Sequence, residues 1–518
     1  MEASEASASS AQHTIDCDVL VVGGGINGAG IARDAAGRGL SVVLCEKDDL
    51  AAHTSSASTK LIHGGLRYLE YYEFNLVRKA LIEREVLLRA APHIMRPLRF
   101  VMPHAQGQRP ALLIRAGLML YDLLARRELL PASAGIDLRS HPAGKPLKRE
   151  FTRGFIYSDG WVDDARLVVL NAIDAAEKGA TILTQAVCTS VDRTSAGWQA
   201  NLYKASCGTI RVNARYLVNA AGPWTASFLH QAAPKAEARH LRLIKGSHIV
   251  VPRIFEHDNA YIFQHADGRI VFAIPYEQDF TLIGTTDLDY HGDAGQVAIT
   301  GDEVAYLCAL SSQYFDRPIV PADVVWTYSG VRPLVEDEAA DAKAVTRDYR
   351  LEVDDAGGAP MLSVFGGKIT TFRKLAEEAV DLIAKSLGNP HGHWTAHACL
   401  PGGDVYGAEP QNRSVLEFQD WVRATQMRYG WLPPLLVARY AHAYGTRIHT
   451  LLDNRHQIED MGDEVAPGLY VAEIEYLRRY EWARTAQDIL WRRSKLGLHL
   501  PPDSAERLQA WLQQNPLR

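Results

Sequence analysis

The pattern of apolar and polar positions opens with a short strand. Residues 17–22 form a β-branched apolar run that stops at glycines, as a strand covered on both faces does. Small residues over 29–36 then suit a helix packed close against a sheet, with Gly39 closing it. Residues 41–45 predict a second buried strand ending in Glu46. From 51 to 59 the chain turns polar and small, which predicts an ordered loop, and helical periodicity returns over 73–89. Later, residues 215–219, 247–251, 270–274, 281–283 and 361–365 are short runs bounded by turn residues. They predict a second, largely antiparallel sheet interleaved with the first. Beyond about His391 long amphipathic stretches such as 471–493 take over, with few strand signals, and predict a separate helical domain.

The expected architecture is therefore α/β (α+β) in three parts. A Rossmann-like dinucleotide-binding domain (about 14–105, 150–240 and 325–390) is interleaved with an antiparallel-sheet substrate domain (about 106–149 and 241–324). An all-helical domain occupies 391–518, and the Ser- and Ala-rich residues 1–13 read as a disordered tail. That tail lacks a basic segment followed by an apolar core, so no secretory signal is expected. The 518 residues suffice for about three domains at most. With 47% hydrophobic and 22% charged residues, the chain is neither disordered, collagen-like nor a disulfide scaffold. A net charge of −6 has the wrong sign for a nucleic-acid partner held by bulk charge. Six cysteines stand singly with no CxxC pair, as in a reducing, cytoplasmic compartment, and no apolar run is long enough for a transmembrane helix.

Gly23, Gly25 and Gly28 satisfy GxGxxG between the first strand and the first helix, and Glu46 supplies the acidic residue about 20 positions on. Glycines let the backbone approach a pyrophosphate at the helix N-terminus, and Glu46 can accept from ribose hydroxyls. NAD and FAD share this fingerprint. The fingerprint's place near the N-terminus, the Ser-rich loop after Glu46, and the apolar run Leu217-Val218-Asn219-Ala220-Ala221-Gly222 favour FAD.

Several motifs occur in one order along the chain: Thr54-Ser55-Ser56-Ala57-Ser58; His63-Gly64-Gly65-Leu66-Arg67-Tyr68; Tyr157-Ser158-Asp159 with Trp161-Val162-Asp163-Asp164; and Lys245-Gly246-Ser247-His248. Gly284-Thr285-Thr286-Asp287, Gly330-Val331-Arg332-Pro333, Phe365-Gly366-Gly367-Lys368 and the C-terminal Trp491-Arg492-Arg493-Ser494-Lys495 complete the series. With them the chain resembles the FAD-dependent, quinone-linked glycerol-3-phosphate dehydrogenases of the glycine and D-amino-acid oxidase superfamily. No D-x-[DN]-x-[DN]-G loop occurs, so the likeness is to the bacterial form, and residues 354–358 read as a hairpin turn.

The resemblance implies oxidation of sn-glycerol 3-phosphate at C2, with flavin N5 accepting hydride. Such chemistry needs a phosphate anchor, a base and fixed geometry. Arg67, Arg332 and Lys368 are the cationic candidates: Arg67 for phosphate, Arg332 for the developing alkoxide, Lys368 for phosphate or flavin. His248 is the candidate base, with Arg332 the alternative actor; Tyr68 and Thr285 are candidates for orienting substrate. Asn27, Thr54, Ser55, Ser56, Ser58, His63, Gly64, Gly65, Ala221, Gly222, Gly366, Gly367 and Thr370 join the three fingerprint glycines and Glu46 as expected cofactor contacts. His391, His393, His397 and Cys399 match no closed zinc pattern, and no metal is expected.

The resemblance further implies a membrane quinone as acceptor and a peripheral position on the cytoplasmic face of the inner membrane. Residues 111–127 fit that, with Arg115, Asp122 and Arg126 on one helical stripe and leucines elsewhere; a core helix packed on three sides is the competing reading. Sequence leaves open oxygen as acceptor with peroxide as product, and a catalytically inactive flavin-bearing interaction protein. A homodimer is the base-rate oligomer.

Overall fold

The computed structural model describes residues 13–105, 109–235, 241–264, 269–335, 348–356 and 358–516. The expected N-terminal tail lies outside them except for His13, as does Gly357 of the expected turn.

Two sheets carry the architecture. In the first, Met361–Phe365, Gly208–Asn219, His13–Val22, Val42–Cys45 and Thr181–Leu183 lie side by side and parallel. Arg350–Asp354 pairs antiparallel at one edge, on the far side of the expected 354–358 turn. Helix α1 (Ile26–Gly37) covers this sheet and packs on the later helices Asp164–Glu177 and Phe372–Leu387. The approach is close because Gly30 carries no side chain: a Cβ there would sit 2.9 Å from the Phe372 ring. Val19, Val21, Ala29, Ala32, Val168 and Leu375 fill the shared core.

The second sheet runs in the order Leu288–Asp289, Leu241–Pro252, Phe280–Gly284, Ile270–Tyr276, Ala260–Gln264, Met95–His104, Arg153–Val162, Leu61–Ile62. Trp326–Val335 pairs along Leu241–Pro252, and Ala134–Asp137 along Arg153–Val162. The sheet is antiparallel apart from Ala260–Gln264 against Met95–His104.

Two expectations change. Residues 215–219 and 361–365 belong to the first, parallel sheet, because their consecutive buried positions serve a strand covered on both faces. Strands Met95–His104, Arg153–Val162 and Trp326–Val335, expected in the dinucleotide-binding segments, are ladders of the second sheet. Alternation marks a strand without naming its partner.

The C-terminal unit packs helices Pro434–Tyr444, Val471–Tyr480 and Ser504–Gln514 around Tyr440, Tyr444, Ile474, Leu477 and Leu508. The amphipathic stretch 471–493 is not one helix. It stops at Tyr480 and resumes as a π-helical turn, Asp488–Arg493. The break turns Glu481 toward Arg166, in a fully buried two-pronged pair. Nearby, Arg493 forks onto Asp49 at 2.7 and 2.8 Å, Arg492 joins it at 2.6 Å, and Lys495 reaches Asp163 at 3.1 Å. Trp491 stacks on Trp326 with ring centroids 3.6 Å apart. The C-terminal unit is thus bolted to both sheets. Glu481→Ala leaves the Arg166 guanidinium buried and unpaired, a loss of about 3–5 kcal/mol. The thermal unfolding midpoint falls by several degrees; an unchanged midpoint would show that the pair contributes nothing.

Candidate active site

Between the two sheets runs an elongated cavity of about 490 Å³. At one end the chain turns from the first strand into α1. Gly23 sits at φ +115°, where a Cβ would lie 2.4 Å from the Ala220 carbonyl oxygen, and a Cβ on Gly28 would strike the Gly23 carbonyl oxygen at 1.9 Å. Only glycine allows this closeness. Gly25 precedes α1 without a side-chain cap, leaving backbone N–H groups for an anion. Ile26 N donates to Ser55 Oγ at 3.0 Å, which ties the serine-rich loop to the same point. Glu46 stands at the tip of Val42–Cys45, its two oxygens accepting from Gly24 N at 2.6 Å and Asp48 N at 2.9 Å. Burial pushes its carboxyl pKa up, and those two N–H donors pull it back.

The loop after Glu46 forms one wall and is tied to both sheets. Thr54 Oγ1 donates to the Val331 carbonyl at 2.7 Å; Ser58 N and Oγ donate to buried Asp164, which also holds Lys60 Nζ at 2.8 Å. Gly366 and Gly367, both at positive φ, bring the chain over the start of α1, where Asn27 Nδ2 donates to the Gly366 carbonyl at 3.1 Å. Lys368 follows on the wall, with Nζ donating to the His63 carbonyl at 2.7 Å and lying 5.2 Å from the Tyr68 ring centre.

From the second sheet come His248, Thr285 and Arg332. His248 is 2% exposed. Its ring stacks on Tyr328 at 4.7 Å, and its Nε2 is hydrogen-bonded to Thr59 Oγ1 at 3.0 Å. Burial, with help from the charges of Lys60 and Arg332, holds its pKa well below the ordinary imidazole range, so it is neutral near pH 7. Asn27 Oδ1 and His248 Nδ1 are buried without a hydrogen-bond partner among the described residues, and both residues line the cavity.

Most sequence candidates converge here: Gly23, Gly25, Asn27, Glu46, Thr54, Ser55, Ser58, His63, Tyr68, Ala221, Gly222, His248, Thr285, Arg332, Gly366, Gly367 and Lys368 line the cavity. Arg67, Gly28, Ser56, Gly64, Gly65 and Thr370 do not. Gly64 N instead donates to Tyr121 Oη at 2.9 Å, Ser56 Oγ to the His53 carbonyl at 3.3 Å, and Thr370 Oγ1 accepts from His63 N. These hold the wall from behind. Sequence reading missed Lys47, His53 and Trp224, which close the Glu46 end: the lysine ammonium lies 4.0 Å over the indole and the imidazole meets it edge-on at 4.7 Å. Lys47 directly follows Glu46 and Trp224 follows Gly222-Pro223, but neither belongs to a pattern with a stated chemistry. Glu46, Asp48 and His53 are also the one cluster of potential ligand groups among the described residues, with Glu46 already engaged by backbone N–H groups. His393 is turned to Asp381 at 2.8 Å.

A glycine-floored cradle at a helix N-terminus, an acidic residue at the next strand tip and orphaned polar atoms along the wall fit a dinucleotide. Residues 18–373 match the model of the FAD dependent oxidoreductase family, and 393–512 match the C-terminal domain of alpha-glycerophosphate oxidase. This chain belongs to the FAD-dependent oxidoreductases. FAD is accordingly its cofactor. Similar curated proteins are a glycerol-3-phosphate dehydrogenase of Pseudomonas aeruginosa, 52% identical over 96% of this chain and 95% of the relative. Another is the aerobic glycerol-3-phosphate dehydrogenase of Escherichia coli, 47% identical over 96% and 97%. A D-erythritol 1-phosphate dehydrogenase of Brucella abortus is 49% identical over the same shares. The crystal structure of the glycerol-3-phosphate dehydrogenase from Bacillus halodurans complexed with FAD superposes with a TM-score of 0.75 at 25% identity, covering 98% of this chain and 95% of that one.

Because Gly23 occupies a conformation and a space closed to any side chain, Gly23→Ala purifies without yellow flavin, read as the ratio of flavin to protein absorbance. Stoichiometric flavin in that variant would place the cofactor elsewhere.

Proposed function

We propose that this chain oxidises sn-glycerol 3-phosphate to dihydroxyacetone phosphate and passes the electrons to a membrane quinone. The observation that carries the chemistry is the meeting of a buried neutral imidazole, His248, with two cations, Arg332 and Lys368, on the wall of one cavity that also holds the dinucleotide cradle. FAD, held at the glycine cradle and Glu46, would supply the acceptor for the two electrons that leave C2 as hydride. His248 receives the C2 hydroxyl proton. Arg332 stabilises the negative charge that develops on that oxygen. Lys368 anchors the phosphate dianion, and Tyr68 and Thr285 orient the two hydroxyl groups; Arg67, outside the cavity lining, takes no part in this arrangement. The names of the relatives support the same substrate class.

Burial sets the pH behaviour of this base. A lowered imidazole pKa keeps His248 unprotonated as the pH falls through 6.5, so the rate of flavin reduction stays level from neutral pH down to well below that value and only then declines. Mixing the yellow protein with glycerol 3-phosphate without air bleaches the flavin absorbance near about 450 nm, and His248→Asn slows that bleaching about 10²–10⁴-fold. Absence of bleaching in the wild-type protein would overturn the assigned substrate. Undiminished bleaching in the variant would remove His248 as the base.

The acceptor is argued from α-helix Ala111–Leu123. Only Leu118 and Tyr121 are buried, which removes the reading of a core helix packed on three sides. Leu112, Met119 and Leu123 are 86%, 57% and 70% exposed and share one face with Ala116 and Leu120. The polar stripe runs along the flank of the helix and is tied to the next segment: Arg115 donates to Ser133 Oγ at 2.7 Å, and Asp122 accepts from Ser133 N at 2.9 Å. A helix that seats Leu118 and Tyr121 in the core and leaves a second row of leucines in the open suits the interface of a bilayer, with exposed Arg126 beside it for anionic headgroups. No helix among the described residues is long and apolar enough to cross a membrane, and the proposed attachment is peripheral. Tyr121 joins this helix to the cavity through its hydrogen bond to Gly64. The double variant Leu112→Glu, Leu123→Glu no longer sediments with anionic phospholipid vesicles, while substrate still bleaches its flavin at the wild-type rate. Retained sedimentation would place the membrane contact elsewhere. Peroxide formed in step with substrate and indifferent to a quinone analogue would make oxygen the acceptor.

A further inference from the structure

Arg332 does not stand free in the cavity. It lies on Trp326–Val335 opposite Ile244 of Leu241–Pro252, and its guanidinium crosses that strand to an ion pair with Asp287. The crossing is possible because the strand has no side chain at Gly246. A Cβ there would lie 3.3 Å from Arg332 Nη2 and 2.7 Å from Thr285 Oγ1. Asp287 does not line the cavity, whereas Arg332 and Thr285 do, so any effect of the carboxylate on substrate passes through the guanidinium.

The turn that carries Asp287 is itself fixed from below. Glu303, 4% exposed, opens helix Gly301–Ser312 in a capping box with Thr300. The same carboxylate accepts from Thr286 Oγ1 at 3.0 Å and Ser247 Oγ at 2.8 Å, and pairs with Lys245 at 2.6 Å. Ser247 N donates back to Thr286 Oγ1 at 2.9 Å. Residue 286 is thereby held to the strand that carries His248, and its neighbours Thr285 and Asp287 are presented on fixed backbone.

We propose that Asp287 is a positioning residue for the oxidation: it aims the Arg332 guanidinium at the substrate oxygen, and Glu303 holds the turn from which it does so. This rests on the reading of Arg332 given above. An arginine side chain has many rotamers, and a charge that must meet an oxygen as it becomes negative acts fully only if its direction is set in advance. The pair is about one-third exposed on each side, and pairs of that exposure contribute little to stability. Breaking it therefore leaves the fold and the flavin in place, and the loss appears in the rate.

The test is anaerobic stopped-flow reduction of the flavin by glycerol 3-phosphate in purified holoenzyme. Asp287→Asn is expected to slow the limiting reduction rate about 10–100-fold, with flavin content and thermal midpoint unchanged. Asp287→Glu, which keeps the charge, restores most of that rate. In an Arg332→Ala background Asp287→Asn has no further effect, because there is no guanidinium left to aim. If Asp287→Asn fails to retain flavin, Asp287→Ser makes the same test with a smaller side chain, and it too slows reduction. Wild-type reduction rates in Asp287→Asn, or losses that multiply in the double variant, overturn the positioning role while leaving Arg332 in place. A wild-type rate in Arg332→Ala overturns both readings together.

Discussion

Two buried carboxylates hold the wall on which the site depends. Asp164, fully buried at the start of its helix, takes Ser58 N, Ser58 Oγ and Lys60 Nζ; Asp49, 5% exposed, takes Arg492 and Arg493. Between them lies the loop that faces both the dinucleotide cradle and His248. A loop made of small polar residues has no apolar face with which to fix itself. Buried charge helps to hold it instead, since leaving either carboxylate unpaired costs about 3–5 kcal/mol.

The C-terminal unit thereby supports the cavity wall without a residue in the cavity. Its π-helical turn delivers Trp491, Arg492 and Arg493 together, and Lys495 follows just beyond it. They meet Asp49 in the loop after Glu46, the start of the Asp164–Glu177 helix and the strand that carries Arg332. π-turns recur at functional positions because they turn side chains away from the regular helical register. Here the register shift lets one short turn contact elements from both sheets.

The same division between holding and acting appears on the outer surface. The helix Ala111–Leu123 ties its polar stripe to Ser133, seats Leu118 and Tyr121 in the core and presents a second apolar row outward, where an ordinary surface helix is polar. Tyr121 runs the other way, toward the cavity wall, its Oη accepting from Gly64 N and donating to Asp159. The exposed leucines and the link toward the cavity thus lie on opposite sides of a single helix.

Much of this was legible in the chain itself. The phosphate cradle needed only local information, because glycine spacing, a preceding apolar run and an acidic residue at the next strand tip are all set by backbone sterics within one βαβ unit. The candidates His248, Thr285, Arg332 and Lys368 came instead from the resemblance to a known family, because no local rule joins segments so far apart in the chain. Tertiary structure alone decided which sheet received residues 215–219 and 361–365, since a buried run looks alike in either. It also decided that Asp287 reaches Arg332 across Gly246, that Lys47 and Trp224 close the far end, and that the leucines of residues 111–123 face outward. Each of those is a relation between segments distant in the chain, and hydrophobic periodicity records that a side is apolar, not what will lie against it.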